Sequence, residues 1–250
     1  MTTAKNIFDN LCDLAPLELQ LGFDNSGFLL GRESDAVTKA LLALDVTSAV
    51  VDEAIEQGAE LIISHHPLIF GPLKSVTDEK LLRLAQHKIG VISMHTNLDI
   101  AQGGVNDVLM KALGAEIIGT LEEDGCGRVG RLAEAMSMEA FLPFCKTVLN
   151  TFGLRYYDSG RCVSKLAVMG GSGGDSIETA FRLGCDTYLT ADIKYHQFLE
   201  AQELGINLID GDHFCTENLI VPVLARRLRA AFPETEFTIS QRHHQLAGFA

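Results

Sequence analysis

One spacing recurs along this chain. Lys39, Ala54 and Gly58 return as Lys165, Ala180 and Gly184, each 126 positions further on. At the same offset Asp52 matches Glu178 and Glu60 matches Asp186. The elements around these residues repeat in the same order. Lys39–Val46 is a near-continuous apolar run, the pattern of a strand covered on both faces. A helix over Ser48–Gln57, stopped by Gly58, and a strand over Leu61–Ile63 follow it. In the second half the corresponding predictions are a strand at Lys165–Met169, a helix at Ser176–Leu183 stopped by Gly184, and a strand at Thr187–Leu189. The fold class is therefore α/β: two similar halves from an internal duplication, with largely parallel sheets. The halves are 1–126 and 127–250, meeting in the glycine- and charge-rich stretch Glu122–Gly130. Further helices are predicted at Ile7–Leu14, Asp78–His87, Asn106–Leu113, Tyr195–Leu204 and Thr216–Ala231. Further strands are predicted at Val91–Met94, Ile206–Ile209 and Phe237–Ile239.

Charge and composition remove several function classes. Twenty Lys and Arg against 33 Asp and Glu leave a net charge of −13, so no direct nucleic-acid binding is expected, because that requires a basic face. The longest stretch free of charged residues is Leu61–Leu73, too short for a bilayer. Asp9 and Asp13 interrupt the apolar pattern of the N-terminus, which is not that of a signal peptide. The expectation is a cytoplasmic protein with no membrane association. Its six cysteines form no Cys-x-x-Cys pair and read as small thiols in a reducing compartment.

The informative polar residues lie at predicted strand ends, where parallel α/β sheets bind ligands. His65 and His66 follow the strand Leu61–Ile63 and are held by Pro67. In that loop two imidazoles can diverge toward two metal ions; the same pair also reads as two solvated loop residues. Strand Val91–Met94 runs into His95-Thr-Asn-Leu-Asp99, a loop that offers a carboxylate. Strand Ile206–Ile209 runs into Asp210-Gly-Asp-His-Phe-Cys-Thr-Glu217, where the i, i+4 spacing of His213 and Glu217 puts both on one helix face. Thr216 is expected to cap the next helix with Glu217 at its positive end, and Pro222 to delay or kink that helix. Imidazole and carboxylate without thiolate suit Zn, Fe, Mn, Co or Ni. Five such groups exceed the needs of one catalytic zinc and leave open positions on two ions. A bridging carboxylate would hold two cations about 3.5–4 Å apart. Their excess positive charge would attract an anion to an acidic protein. Gly170-Gly-Ser-Gly-Gly174 reads either as a phosphate cradle or as a plain tight turn. Asp192, Tyr195 and His196 read as neighbours of the site or as ordinary helix-start residues. His87, His243 and His244 are expected at the surface, and Ser64 lacks a nucleophile-elbow pattern. Cys215 is expected to be a neighbour of the site rather than an oxidisable thiol.

Six motifs spread over nearly the whole chain carry a resemblance. They are Phe23-Asp-Asn-Ser-Gly-Phe-Leu-Leu-Gly31, Ser64-His-His-Pro-Leu-Ile-Phe70, His95-Thr-Asn-Leu-Asp99, Gly170-Gly-Ser-Gly173, Thr190-Ala-Asp-Ile-Lys-Tyr-His196 and Gly211-Asp-His-Phe-Cys-Thr-Glu217. In these the chain resembles the NIF-three-like family, also labelled GTP cyclohydrolase I type 2 homologues. The resemblance implies a NIF-three-like fold with two divalent metal ions per chain, held by His65, His66, Asp99, His213 and Glu217, Glu217 bridging. It also implies a ring-shaped homohexamer with its sites facing an interior cavity. The activity implied is that of a dimetal hydrolase acting on a small anionic substrate such as a nucleotide, with GTP suggested by the family label alone. His95 or His196 would move protons. The alternative is a non-catalytic hexameric module that binds metal or a partner. Because ligands come from both halves, the site is expected at their junction. The mid-chain domain some relatives carry is missing here, and Ala191 stands where glycine is common.

Overall fold

A computed structural model of the chain describes residues 1–249. The chain packs as two compact units, residues 1–102 with 220–244, and residues 103–219 with the chain from 245 on. The first unit opens with α1 (Ala4–Leu14), β1 (Gly27–Leu30), β2 (Lys39–Ala43), α2 (Ser48–Gln57), β3 (Leu61–Ser64), α3 (Glu79–Gln86), β4 (Gly90–Ser93) and α4 (Thr96–Ile100). The second holds α5 (Val105–Ala112), β5 (Ala115–Thr120), β6 (Arg128–Met136), α6 (Met138–Leu149), β7 (Arg155–Tyr157), β8 (Val163–Ser172), α7 (Ile177–Arg182), β9 (Thr187–Ala191), α8 (Tyr195–Leu204), β10 (Asn207–Asp210) and α9 (His213–Glu217). The chain then returns to the first unit as α10 (Ile220–Ala231) and β11 (Glu236–Ile239).

In the first unit the strand order is β1-β4-β3-β2-β11, parallel except for β1. Strands β3 and β4 are buried at every residue, as their unbroken apolar runs require. Helix α2 forms where the sequence supplies both ends: the Thr47 side chain accepts the Val50 N–H, and Gly58 closes the helix at φ 66°. Its inner face, Val50, Val51 and Ala54, packs with Leu41, Ile62, Leu84 and Val91. Each large aliphatic side chain removed from water here contributes about 1.5–3 kcal/mol.

The second unit has the order β5-β6-β8-β9-β10-β7, with β8, β9 and β10 parallel and β5, β6 and β7 antiparallel to their neighbours. Alternate residues of β8 join different cores. Leu166 and Val168 pack with Leu109, Phe141, Cys145 and Leu189, whereas Ala167 and Met169 pack with Ile177, Ala180, Tyr188 and Ala201.

The packing units are cut differently from the 1–126 and 127–250 halves. Residues 103–126 supply α5 and β5 to the second unit, and β11 pairs in parallel with β2, Glu236 opposite Lys39. That pairing covers an edge that would otherwise present bare N–H and C=O groups. The predicted loop His95–Asp99 is a helical turn, α4. The predicted helix Thr216–Ala231 is two helices, with Asn218 and Leu219 between α9 and α10. Pro222 falls in the first turn of α10, where its missing N–H has no intrahelical partner to lose. Strands β1, β5, β6 and β7 and helix α6 are not predicted. The four strands pair antiparallel and are partly exposed, so they lack the continuous apolar run that marks β2 and β3. Among the described residues, no helix is long and apolar enough to cross a membrane.

Candidate metal centre

In the first unit the ends of β3 and β4 converge on three imidazoles. The N–H groups of His65 and His66 both donate to the Leu44 carbonyl, which fixes the turn after β3. The ring centroids of His65, His66 and His95 lie 5.0–5.5 Å apart, and each ring offers a nitrogen within 4.8 Å of the others. In each ring Nδ1 is committed to an oxygen acceptor. The His65 Nδ1–H donates to the Met94 carbonyl at 2.8 Å, His66 to Asp45 Oδ1 at 2.7 Å, and His95 to Asp24 Oδ1 at 2.7 Å. Carbonyls and carboxylates only accept, so each neutral ring carries its proton on Nδ1 and its lone pair on Nε2. Asp99, from α4, places Oδ1 3.6 Å from His65 Nε2.

The carboxylates behind these rings are themselves held. Asp24 accepts from His95, from the N–H groups of Asn25 and Thr96, and from the hydroxyls of Ser26 and Thr96. Burial works against its charge, but the hydrogen bonds from His95, Thr96 and Ser26 outweigh it and hold the carboxyl well below the usual range. Asp45 is likewise depressed: burial opposes the charge, and His243 and His66 more than offset it. His243 grips Asp45 twice. Its Nε2 lies 3.1 Å from Asp45 Oδ2, and its Nδ1 accepts the Asp45 backbone N–H at 3.4 Å. The His243 side chain is only 7% exposed, so the surface position expected from sequence is corrected.

In the second unit β10 leads into α9, which carries the remaining pair, and β9 leads to Asp192 beside them. His213 opens α9 and Glu217 closes it, and the expected i, i+4 contact is present, His213 Nε2 to Glu217 Oε2 at 3.1 Å. His213 Nδ1 donates to Asp192 Oδ2 at 2.8 Å. Burial disfavours the imidazolium, yet Glu217 and Asp192 together push His213 up to about 9. Asp192 and Asp212 adopt φ of 57° and 70°, a region that aspartate tolerates better than most residues. Asp212, not Thr216, is the capping residue of α9, its side chain accepting the Cys215 N–H. Thr216 instead accepts the Gly171 N–H, and Glu217 ends α9 rather than sitting at the positive end of the next helix.

The glycine loop has a different job from phosphate binding. The N–H groups of Gly170, Gly171 and Gly173 are taken by Asn106, Thr216 and Thr190. A Cβ on Gly171 would overlap Glu217 Oε1 and lie 3.1 Å from His213 Nε2, and one on Gly170 would lie 3.2 Å from Glu217 Cγ. Gly170 and Gly171 therefore make the space that the Glu217 carboxylate fills.

The first unit's imidazoles with Asp99, and the second unit's His213 with Glu217, are nitrogen and carboxylate donors without thiolate, the types that suit divalent first-row cations. Cys215 lies in the apolar core, where burial pushes its thiol up to about 12, so it is a packing residue. His196 is exposed on the first turn of α8 and, among the described residues, belongs to no histidine–carboxylate cluster. Sequence reasoning assigned no role to Asp24, Asp45 or His243. Asp24 lies within the quoted Phe23-Asp-Asn-Ser-Gly motif, whereas Asp45 and His243 had no local signal.

The family model described as Duf34/NIF3 (NGG1p interacting factor 3) matches residues 2–245. The GTP cyclohydrolase 1 type 2 homolog of Clostridium perfringens is 34% identical, the match covering 94% of this chain and 95% of that protein. The GTP cyclohydrolase 1 type 2 of Helicobacter pylori is 33% identical over 92% of this chain and 93% of its own. The crystal structure of a Bacillus cereus protein related to NIF3 superposes with a TM-score of 0.93 at 25% identity, covering 100% of this chain and 99% of that one.

Proposed function

The chain belongs to the Duf34/NIF3 family, and on that footing we propose that it is a metal-dependent hydrolase of small anionic substrates such as nucleotides. In this reading His65, His66, Asp99, His213 and Glu217 would hold two divalent ions, and the metal would be Zn, Fe, Mn, Co or Ni. The observation that carries it is the pairing behind the rings. His65 donates Nδ1–H to the Met94 carbonyl, and His66 and His213 donate theirs to Asp45 and Asp192, which turns each Nε2 to ligation. The names of the relatives support a nucleotide as substrate.

Two bound cations would neutralise an anionic substrate and make water acidic enough to serve as a nucleophile near pH 7. The chain's own residues do the rest. Asp45, Asp24 and the Met94 carbonyl keep three rings from rotating, so the donors need no reorganisation on binding. His95 is the residue for proton transfer: Asp24 holds its Nδ1–H and leaves Nε2 to take a proton and return it. His196, exposed on α8, is the weaker candidate for that role.

The test combines metal analysis with a turnover screen. Wild type and Glu217→Ala, each loaded with metal, are incubated with GTP, other nucleotides and simple phosphoesters while metal content is read on the same samples. Product from wild type alone supports the hydrolase. About two metals per chain with no turnover supports instead a non-catalytic hexameric module that binds metal or a partner. The homohexamer and the cytoplasmic location expected of the family are part of the same proposal. A monomeric mass by light scattering removes the hexamer.

A further inference from the structure

Two of the motifs that build the first unit's imidazole cluster, one supplying His65 and His66 and the other the Asp24 carboxylate, also carry an aromatic ring that the chain leaves uncovered. Phe23 precedes Asp24, the carboxylate that orients His95, and is 62% exposed. Phe70, in the loop that follows His65 and His66, is 55% exposed. Large apolar side chains this open, side by side, usually mark a binding surface. Their ring centroids stand 6.4 Å apart with planes inclined by 34°. The Phe70 ring also meets His95 edge to face at 6.3 Å. Between them runs a groove of about 510 Å³, lined by Phe23, Asp24, Asn25, Phe70, Pro72 and Leu73 among others. That volume lies within the range of small-molecule sites, about 300–1,000 Å³.

We propose that Phe23 and Phe70 clamp the planar heteroaromatic ring of a ligand whose anionic arm reaches the His65, His66 and His95 cluster. This deepens the reading given under Proposed function and rests on it for the anionic arm. A flat ring takes about 3.5 Å to each neighbouring face, so two flanking rings must stand about 7 Å apart. At 6.4 Å and an inclination of 34° the two rings must turn parallel and part slightly to admit it. The Phe70–His95 contact sets the groove beside the imidazole cluster, so an occupant can place an apolar flat end in the groove and a charged end toward the rings. Asn25 also lines the groove, its side-chain N–H held by the Ile69 carbonyl, and its Oδ1 is an acceptor for a ring edge bearing N–H groups. A purine satisfies each of these demands; a bare phosphate or a sugar phosphate leaves both phenyl rings wet.

Calorimetric titration of the zinc-loaded protein tests the clamp by binding. The probes are guanosine 5′-[β,γ-imido]triphosphate, which has the ring, and inorganic tripolyphosphate, which does not. Phe23→Ala and Phe70→Ala are each expected to weaken the nucleotide about tenfold, because stacking on aromatic faces contributes to affinity whichever base is bound. Tripolyphosphate affinity and metal content stay as in wild type, and Phe70→Trp retains the nucleotide. The clamp is overturned if wild type binds no nucleotide, if the alanine variants bind it unchanged, or if both probes weaken equally. It is also overturned if the substitutions lower the oligomeric mass and leave nucleotide affinity alone, since a second copy then covers the rings. The two proposals fail separately. Nucleotide bound through the clamp but never turned over removes the hydrolase and leaves the clamp, whereas hydrolysis indifferent to Phe23 and Phe70 does the reverse.

Discussion

Gly171 and Glu217 are a matched pair: the hydrogen of one stands where the carboxylate of the other needs room. A Cβ on Gly171 would overlap Glu217 Oε1, and Glu217 is only 4% exposed, with Gly170 closing in on its Cγ. Gly171→Ala is expected to push the carboxylate off its position and to lower metal stoichiometry as measured by plasma mass spectrometry. The same residue sits at φ 66°, where alanine carries a strain of roughly 1–2 kcal/mol, so the melting temperature should fall as well. Full metal content in a folded Gly171→Ala protein would show that Glu217 is not a ligand.

Asp192 fixes the ring of His213 from behind. Removing such a partner typically weakens metal binding about 10–100-fold. Asp192→Ala should fall in that range in a competition titration against a chelator. Asp192→Asn, which keeps an acceptor oxygen and tolerates the same backbone conformation, should lose less. Equal affinities in wild type and Asp192→Ala would remove the orienting role.

His243 acts at one further remove, because it grips Asp45, and Asp45 orients His66. His243→Phe keeps the ring's bulk and deletes both hydrogen bonds. Metal affinity should drop several-fold in this variant, and further in Asp45→Ala, where His66 loses its acceptor outright. A His243→Phe protein with the greater loss of the two would reverse the order of dependence inferred here.

Acid should weaken the first unit through Asp24. Its carboxyl titrates lower in the folded chain than the ordinary value near 4, so its charge stabilises the fold above that range. As pH falls below about 4 toward the folded value, the folded state must take up a proton it resists, and this stabilisation is lost. Denaturant unfolding of Asp24→Asn from pH 6 to pH 3 should show a lower starting stability and a flatter acid limb than wild type. Parallel curves would mean that the hydrogen bonds to Asp24 do not depend on its charge.

Some of this was legible because it is local. The i, i+4 spacing of His213 and Glu217 needs only one helical turn to become a contact, and it became one at 3.1 Å. The offset of 126 also survives in three dimensions. Ala40 pairs with Leu61 in β2 and β3, and Leu166 with Thr187 in β8 and β9, the same register 126 residues on. Glu60 accepts the N–H groups of Thr38 and Lys39, just as Asp186 accepts those of Ser164 and Lys165. Buried parallel strands announce themselves by composition, and so do the glycines that stop helices.

Other features were decided by contacts between residues far apart in the chain. Asp45 reaches back to His66 from 21 residues away, and His243 arrives from 198 residues downstream to hold Asp45. The glycine loop is read correctly only once Thr216, Thr190 and Asn106 are seen to occupy its N–H groups. The sequence by itself determined which donors stand at the strand ends, because strand periodicity and helical spacing are set within a few residues. Tertiary structure alone decided which nitrogen of each histidine faces the site and which carboxylates stand behind it. A side chain's orientation depends on the neighbours that packing brings to it, and those neighbours have no fixed distance along the chain.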